Sequence, residues 1–216
     1  MEITLKLPFQ FKRGEDAPVI GDQNQLVADQ AHGKYYNLVK GGRVFSQATT
    51  PLGLALPIYT ATGITTVVLW NPPDSGVNVI PLTASCAYAS GTAVYGAIGL
   101  MVHDKDILNG LATAGYATAF AETTPINAIV GGGQASKIRS SNAGTNTFTA
   151  GVAADFKRSM FSTGALAATT AVPVVNAVYD FDGSIILKPG TIAWLAQQLA
   201  SSALYAVTIV WCEEDV

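Results

Sequence analysis

Hydrophobic and polar positions alternate with a period of two along much of this chain. In Val77 to Ala89, Ile80, Leu82, Ala84, Cys86 and Tyr88 fall on one side, and Thr83, Ser85, Ala87 and Ala89 on the other. That alternation predicts a half-buried strand. Ile64 to Trp70 is rich in β-branched residues and ends at Asn71-Pro72-Pro73-Asp74-Ser75-Gly76, a strong turn signal. Ser90-Gly91-Thr92 turns the chain into a strand over Ala93 to Val102. The last third repeats the pattern. Val172 to Phe181 reads as a strand, Asp182-Gly183 as a turn, Ser184 to Leu187 as a short apolar run and Lys188-Pro189-Gly190 as another turn. Thr191 to Leu195 and Leu204 to Trp211 follow, the latter with Tyr205, Val207, Ile209 and Trp211 on one face. Short strands at near-regular spacing between Gly/Pro turns predict an all-β, antiparallel sandwich, jelly roll or barrel.

Two regions break the pattern. The stretch 104–171 is rich in Ala, Thr, Gly, Ser and Asn. It predicts several short strands or a long excursion, with a short helix over Asp106 to Ala114 and loops at Gly131-Gly132-Gly133 and Asn142-Ala143-Gly144. Residues 1–42 predict an extended N-terminal arm, with 43–216 as the β domain. In the arm Ile3, Leu5, Leu7, Phe9 and Phe11 alternate with other residues, Pro8 among them, as in a short edge strand. Arg13 to Asp16 and Gly21 to Gln25 read as loop. Such an arm can follow another protein's surface, or add a strand to a neighbour's open edge with Ile3, Leu5, Leu7, Phe9 and Phe11 as docking residues. The alternative is that it pairs within its own subunit.

Composition sharpens this picture. Of 216 residues 49% are hydrophobic and 12% charged, about half the usual charged share. Eleven of the 27 charged residues lie at or before Arg43; from Val44 to His103 the single charge is Asp74. The longest wholly apolar stretch, Ala93 to Val102, is too short for a spanning helix, which needs about 20 residues. With Glu2, Lys6 and Pro8 early, no signal-peptide core is expected at the start. Large apolar surfaces are rare on monomers, so this composition predicts a homo-oligomer with much of its surface covered by other subunits. Net charge is −3 and no basic stripe exists, which argues against nucleic-acid binding.

Catalytic and metal constellations fail on inspection. His32 and His103 are too few for a three-histidine metal site. His103-Asp104-Lys105-Asp106 puts adjacent ligands on opposite sides of a strand end, so a solvated turn is the expectation. Asp180-Phe181-Asp182-Gly183 begins like a calcium loop but has Thr191 where a bidentate Glu is needed. Gly131-Gly132-Gly133-Gln134-Ala135-Ser136-Lys137 lacks the Gly-Lys-Ser/Thr of a phosphate loop. No G-x-S-x-G is present. Asp155, Asp180 and Asp182 supply carboxylates for sugar cleavage only if two of them face one another. Cys86 falls on a core face, and Cys212, beside Trp211, points the other way; the two are not expected to pair. No catalytic residue, cofactor or metal is expected.

Three segments resemble the jelly-roll virion proteins of tailed bacteriophages, of the capsid decoration, cement or head-fibre kind. They are Leu69-Trp70-Asn71-Pro72 with Ser75-Gly76-Val77-Asn78-Val79, Asp182 through Thr191, and Val207 to Trp211 before Glu213-Glu214. The resemblance covers about residues 42–102 and 172–216. It implies a jelly roll, a homotrimer docked on a virion through proteins such as the major capsid protein, synthesis in the bacterial host cytoplasm, and no enzymatic activity. Competing expectations are a tail or fibre component binding a host receptor or carbohydrate, for which Tyr35-Tyr36 is the one adjacent aromatic pair, a major shell-forming capsid subunit, and a sugar-modifying jelly-roll enzyme.

Overall fold

The computed structural model describes residues 19–20, 26–27, 33–60, 63–103, 121–142, 146–147, 155–165 and 176–216. The chain divides into two compact units, 1–36 and 37–216. In the first, Val19–Ile20 pairs antiparallel with Leu26–Val27. The docking residues Ile3, Leu5, Leu7, Phe9 and Phe11, and the helix expected over 106–114, lie outside the described residues.

A single helical turn occupies Tyr36–Lys40, and the regular structure of the second unit is otherwise all strand among the described residues. Eight of its described strands form the body of the fold: β1 Val44–Ala48, β2 Val68–Trp70, β3 Val77–Ser90, β4 Gly96–His103, β5 Asp155–Thr163, β6 Asn176–Asp180, β7 Ile192–Gln197 and β8 Leu204–Asp215. They form two antiparallel sheets with the orders β1-β8-β3-β6 and β2-β7-β4-β5. Ile126–Asn127 extends the first sheet beyond β1, and Arg139–Ser141 extends the second beyond β2. The two sheets bury a common apolar core, as in a β-sandwich.

The core follows from the alternation. Tyr205, Val207, Ile209 and Trp211 of β8 all point inward, as their spacing predicts, and Phe45 stacks on Trp211 at 6.1 Å between ring centroids. From the facing sheet come Leu69, Ile98, Leu100, Val102, Ala193 and Leu195. Strands β4 and β7 are buried on both faces. Met101, Ile192, Trp194 and Ala196 join Val68 and Trp70 in a second cluster on the opposite side of that sheet. A strand with no solvent face reads as an unbroken apolar run. Part of the charge-poor composition therefore reflects burial within the chain rather than a need for neighbouring subunits.

Several expectations need correction. Ile80 does not share a face with Leu82, Ala84 and Cys86. Val77 and Val79 point into the core below it, Leu82, Ala84 and Cys86 above it, and the phase flips between them. The cause is a bulge: Trp211 pairs with Pro81 and Val210 with Thr83, so β3 carries one extra residue there. Pro81 has no N–H to give to the ladder, which suits it to that irregular position. Ile64 to Trp70 is not one strand. Gly63–Ile64 pairs with Asn146–Thr147, and a break at 65–67 precedes β2. The run 184–187 makes only an isolated bridge, Leu187 to Val79. Cys212 does face away from the inter-sheet core but is buried, and so is His103 at the end of β4; Asp104, Lys105 and Asp106 of the expected turn lie outside the described residues.

Candidate functional site

The antiparallel strands give the sandwich two ends of different chemistry. At one end lie the turn 71–76, the loop 181–191, the start of β1 and the end of β8. Asn71 is the hub there. Its side-chain amide donates to the carbonyls of Val77 (2.8 Å) and Leu187 (3.0 Å), and its Oδ1 accepts the Ser75 hydroxyl. Its backbone N–H donates to Thr191 O and its carbonyl accepts from Gly190 N–H. A buried amide fully satisfied in this way fixes two loops that are more than a hundred residues apart in sequence. Two of the three segments behind the resemblance thus meet at Asn71. The third, the tail of β8, pairs Glu214 with Asn78 and Asp215 with Val77.

Glu213 ties a further loop to the same end. Its Oε1 accepts the Ser136 hydroxyl and the Trp211 indole N–H (3.2 Å), and its Oε2 accepts the Lys137 backbone N–H at 2.9 Å. Lys137 Nζ reaches Asp215 Oδ1 at 2.6 Å; this hydrogen bond, and then the lysine charge itself, hold the Asp215 carboxyl below its usual range. Arg139 bonds Glu122 and lies over the Trp70 ring, 4.5 Å from its centroid. A shallow cleft lined by Arg43, Gln134, Lys137, Glu213 and Asp215 results. Glu213 and Asp215 there accept from Ser136 and Lys137 of the same chain, which latches the 136–137 segment to the β8 tail.

Of the sequence-predicted candidates, His32, Asp104, Lys105 and Asp106 lie outside the described residues. The Asp180–Gly183 segment is a turn in which Asp182 N–H donates to Asp180 Oδ1 and Ser184 closes onto Phe181 O. Asp155 and Asp180 sit on different sheets, β5 and β6. The 131–137 loop is held by Asn127, whose amide donates to Gly42 O and Gln134 O, and Lys137 is committed to the β8 tail. Among the described residues no three His, Cys, Asp or Glu side chains group as metal ligands. Cys86 is free and its thiol is pushed up to about 12 by burial; Cys212 is free and raised by burial, with Arg43 opposing. Neither has the lowered pKa of a reactive thiol.

The opposite end is built from the loops 49–60, 91–95 and 198–203, where Leu54–Ala55 also pairs with the start of β8. They are packed closely. Gly91, at φ +93°, sits where a Cβ would run into the Ser202 carbonyl oxygen, and Gly53, at φ +75°, where one would lie 2.8 Å from the Tyr205 carbonyl carbon. Thr92 N–H donates to the Ser202 hydroxyl, Gln198 N–H to Ala97 O, and Gln197 Nε2 to Leu56 O. Thr163 donates to Val94 O, which ties in the end of β5. No Asp, Glu, Lys or Arg occurs in 44–73, 75–102, 140–154, 159–179 or 189–212. Each of the loops at this end falls inside one of those windows. The first two of these windows are plain in the sequence; that the strand directions bring the loops 49–60, 91–95 and 198–203 to one end is not.

No family model matches the chain, and neither a curated protein nor a solved structure matches it.

Proposed function

We propose that the sandwich is a jelly roll and that the chain is a structural virion protein of a tailed bacteriophage, of the capsid decoration or cement type. The carrying observation is the strand order. Numbered along the chain, the sheets run 1-8-3-6 and 2-7-4-5. That is the order produced when one long antiparallel hairpin folds over on itself, and jelly rolls of this kind recur in viral capsids, lectins and cupins. Fold alone does not choose among them. The cupin reading asks for metal ligands, and among the described residues no three His, Cys, Asp or Glu group as such. The resemblance of the segments around Asn71 and the β8 tail to phage virion proteins favours the first.

In this reading the protein works by contact, as a homo-oligomer, most simply a trimer, bound to the major capsid protein. Residues 1–42 serve as the docking arm through Ile3, Leu5, Leu7, Phe9 and Phe11. Electron microscopy of purified phage particles tests it. The expected result is density for this chain repeated over the head surface, lost when residues 1–42 are deleted. Absence from the particle, or a position at the tail tip, would overturn the decoration reading.

A further inference from the structure

We propose that the charge-free end of the sandwich, where Leu52, Tyr95 and Leu199 stand out, is the surface through which copies of this chain associate. The proposal rests on the self-association half of the proposed function and not on its virion half.

Three observations carry it. First, large apolar side chains are exposed there on pinned loops: Leu52 is 80% exposed, Tyr95 72% and Leu199 54%. Tyr95 and Leu199 flank the close approach of Gly96 to the Gln198 side chain. Second, exposure alone does not distinguish this end, because Ile186 at the other end is 56% exposed. Charge distinguishes it. Asp74, Lys137, Asp182, Lys188, Glu213, Glu214 and Asp215 all belong to the other end. Third, the loops are tied to one another and to β8, β4 and β5, so little ordering is needed on contact.

The absence of charge selects the occupant. When identical copies meet about a rotation axis, residues near the axis face their own counterparts or near neighbours. Any charge there meets its like and costs association free energy. A different partner would instead be recognised through complementary charge, which the described residues of this end do not offer. A second copy of the same chain is the occupant that a charge-free, apolar, rigid surface fits best.

The test compares light-scattering masses of the full-length chain, a tip variant Leu52→Lys/Leu199→Lys, and a control Ile186→Lys at the opposite end. All three positions are exposed, so the core is untouched. The expected result is an oligomer for the unmodified chain and the control, and a single-chain mass for the tip variant, about 100-fold or more weaker in association. An oligomeric tip variant overturns the assignment of the surface while leaving self-association standing. A monomeric unmodified chain overturns both, and so does a monomer that uses this end to bind a glycan or another protein. If the tip variant does not fold, Leu199→Cys and Ile186→Cys with a bismaleimide decide, since the native thiols are buried. Inter-chain cross-links at 199 and none at 186 support the proposal; the reverse sinks it.

Discussion

The two ends of this sandwich are held together by opposite means. At the Asn71–Glu213 end, charged and amide side chains bridge loops distant in sequence, and the backbone is satisfied by side chains. At the Gly53–Gly91 end, glycines let backbone lie against backbone, and the connections are mostly main-chain or hydroxyl bonds between uncharged residues. The first arrangement spends its polar groups internally while leaving charge on the surface. The second leaves a rigid surface whose described residues carry no charge. The difference shows that composition which looks uniform along a chain can be sorted by topology: antiparallel strands of alternating direction bring every second turn to the same side.

The comparison can be broken from either end. The largest effect is expected from Glu213→Ala. It strips the acceptor from Ser136, from the Lys137 N–H and from the buried Trp211 indole, and a cost of about 3 kcal/mol in unfolding free energy is predicted by denaturant titration. Glu213→Gln, which keeps one acceptor oxygen, should lose less. Next is Gly91→Ala at the other end. It forces a left-handed backbone on a residue with a Cβ and drives that Cβ into the Ser202 carbonyl, for about 2 kcal/mol. Lys substitutions at Leu52 or Leu199, by contrast, should leave stability within about 0.5 kcal/mol while changing association.

The smallest effects concern pH, and they have opposite signs at the two ends. Cys86, toward the Gly91 end of β3, has a folded pKa raised from 9.0 to about 12 by burial. Its neutral form contributes stability below pH 9 that is lost as pH rises toward 12, because only the unfolded chain ionises readily there. Tyr205 beside it is raised by burial in the same sense. Asp215, at the other end, has a folded pKa below 3.8. Its contribution is present above that value and is lost as pH falls through the folded pKa; the side chain is fully exposed, so the effect is slight. Thermal melts across pH should show Cys86→Ala flattening the alkaline limb and Asp215→Asn barely altering the acid one. A Cys86→Ala variant with an unchanged alkaline limb would contradict the burial argument.

Much of the sandwich is legible in the sequence wherever one face is buried and the other is not. The alternation of Tyr205, Val207, Ile209 and Trp211 fixes β8, and Asn71 to Gly76 fixes the turn before β3. Legibility stops where that condition fails. The Pro81 bulge flips the phase of β3 within an unbroken apolar run, so no alternation marks it. The doubly buried β4 and β7 look like surface wanting a partner until both clusters are located. Gln47 accepts the Ser140 hydroxyl across 93 residues, and Glu213 grips 136–137 across a similar span; local patterning carries no trace of either. The site was hidden for a different reason. Its defining property is the absence of a residue class from three loops far apart in sequence, and it becomes a place only once strand direction is known.

Sedimentation of the full-length chain at micromolar concentration, in about 0.05 M and about 1 M salt, tests the central claim most directly. Association through the charge-free end predicts an oligomer of one size whose strength is unchanged or increased by salt, because no ion pair is there to be screened. A monomer at both concentrations, or an oligomer that dissociates as salt rises, would contradict it.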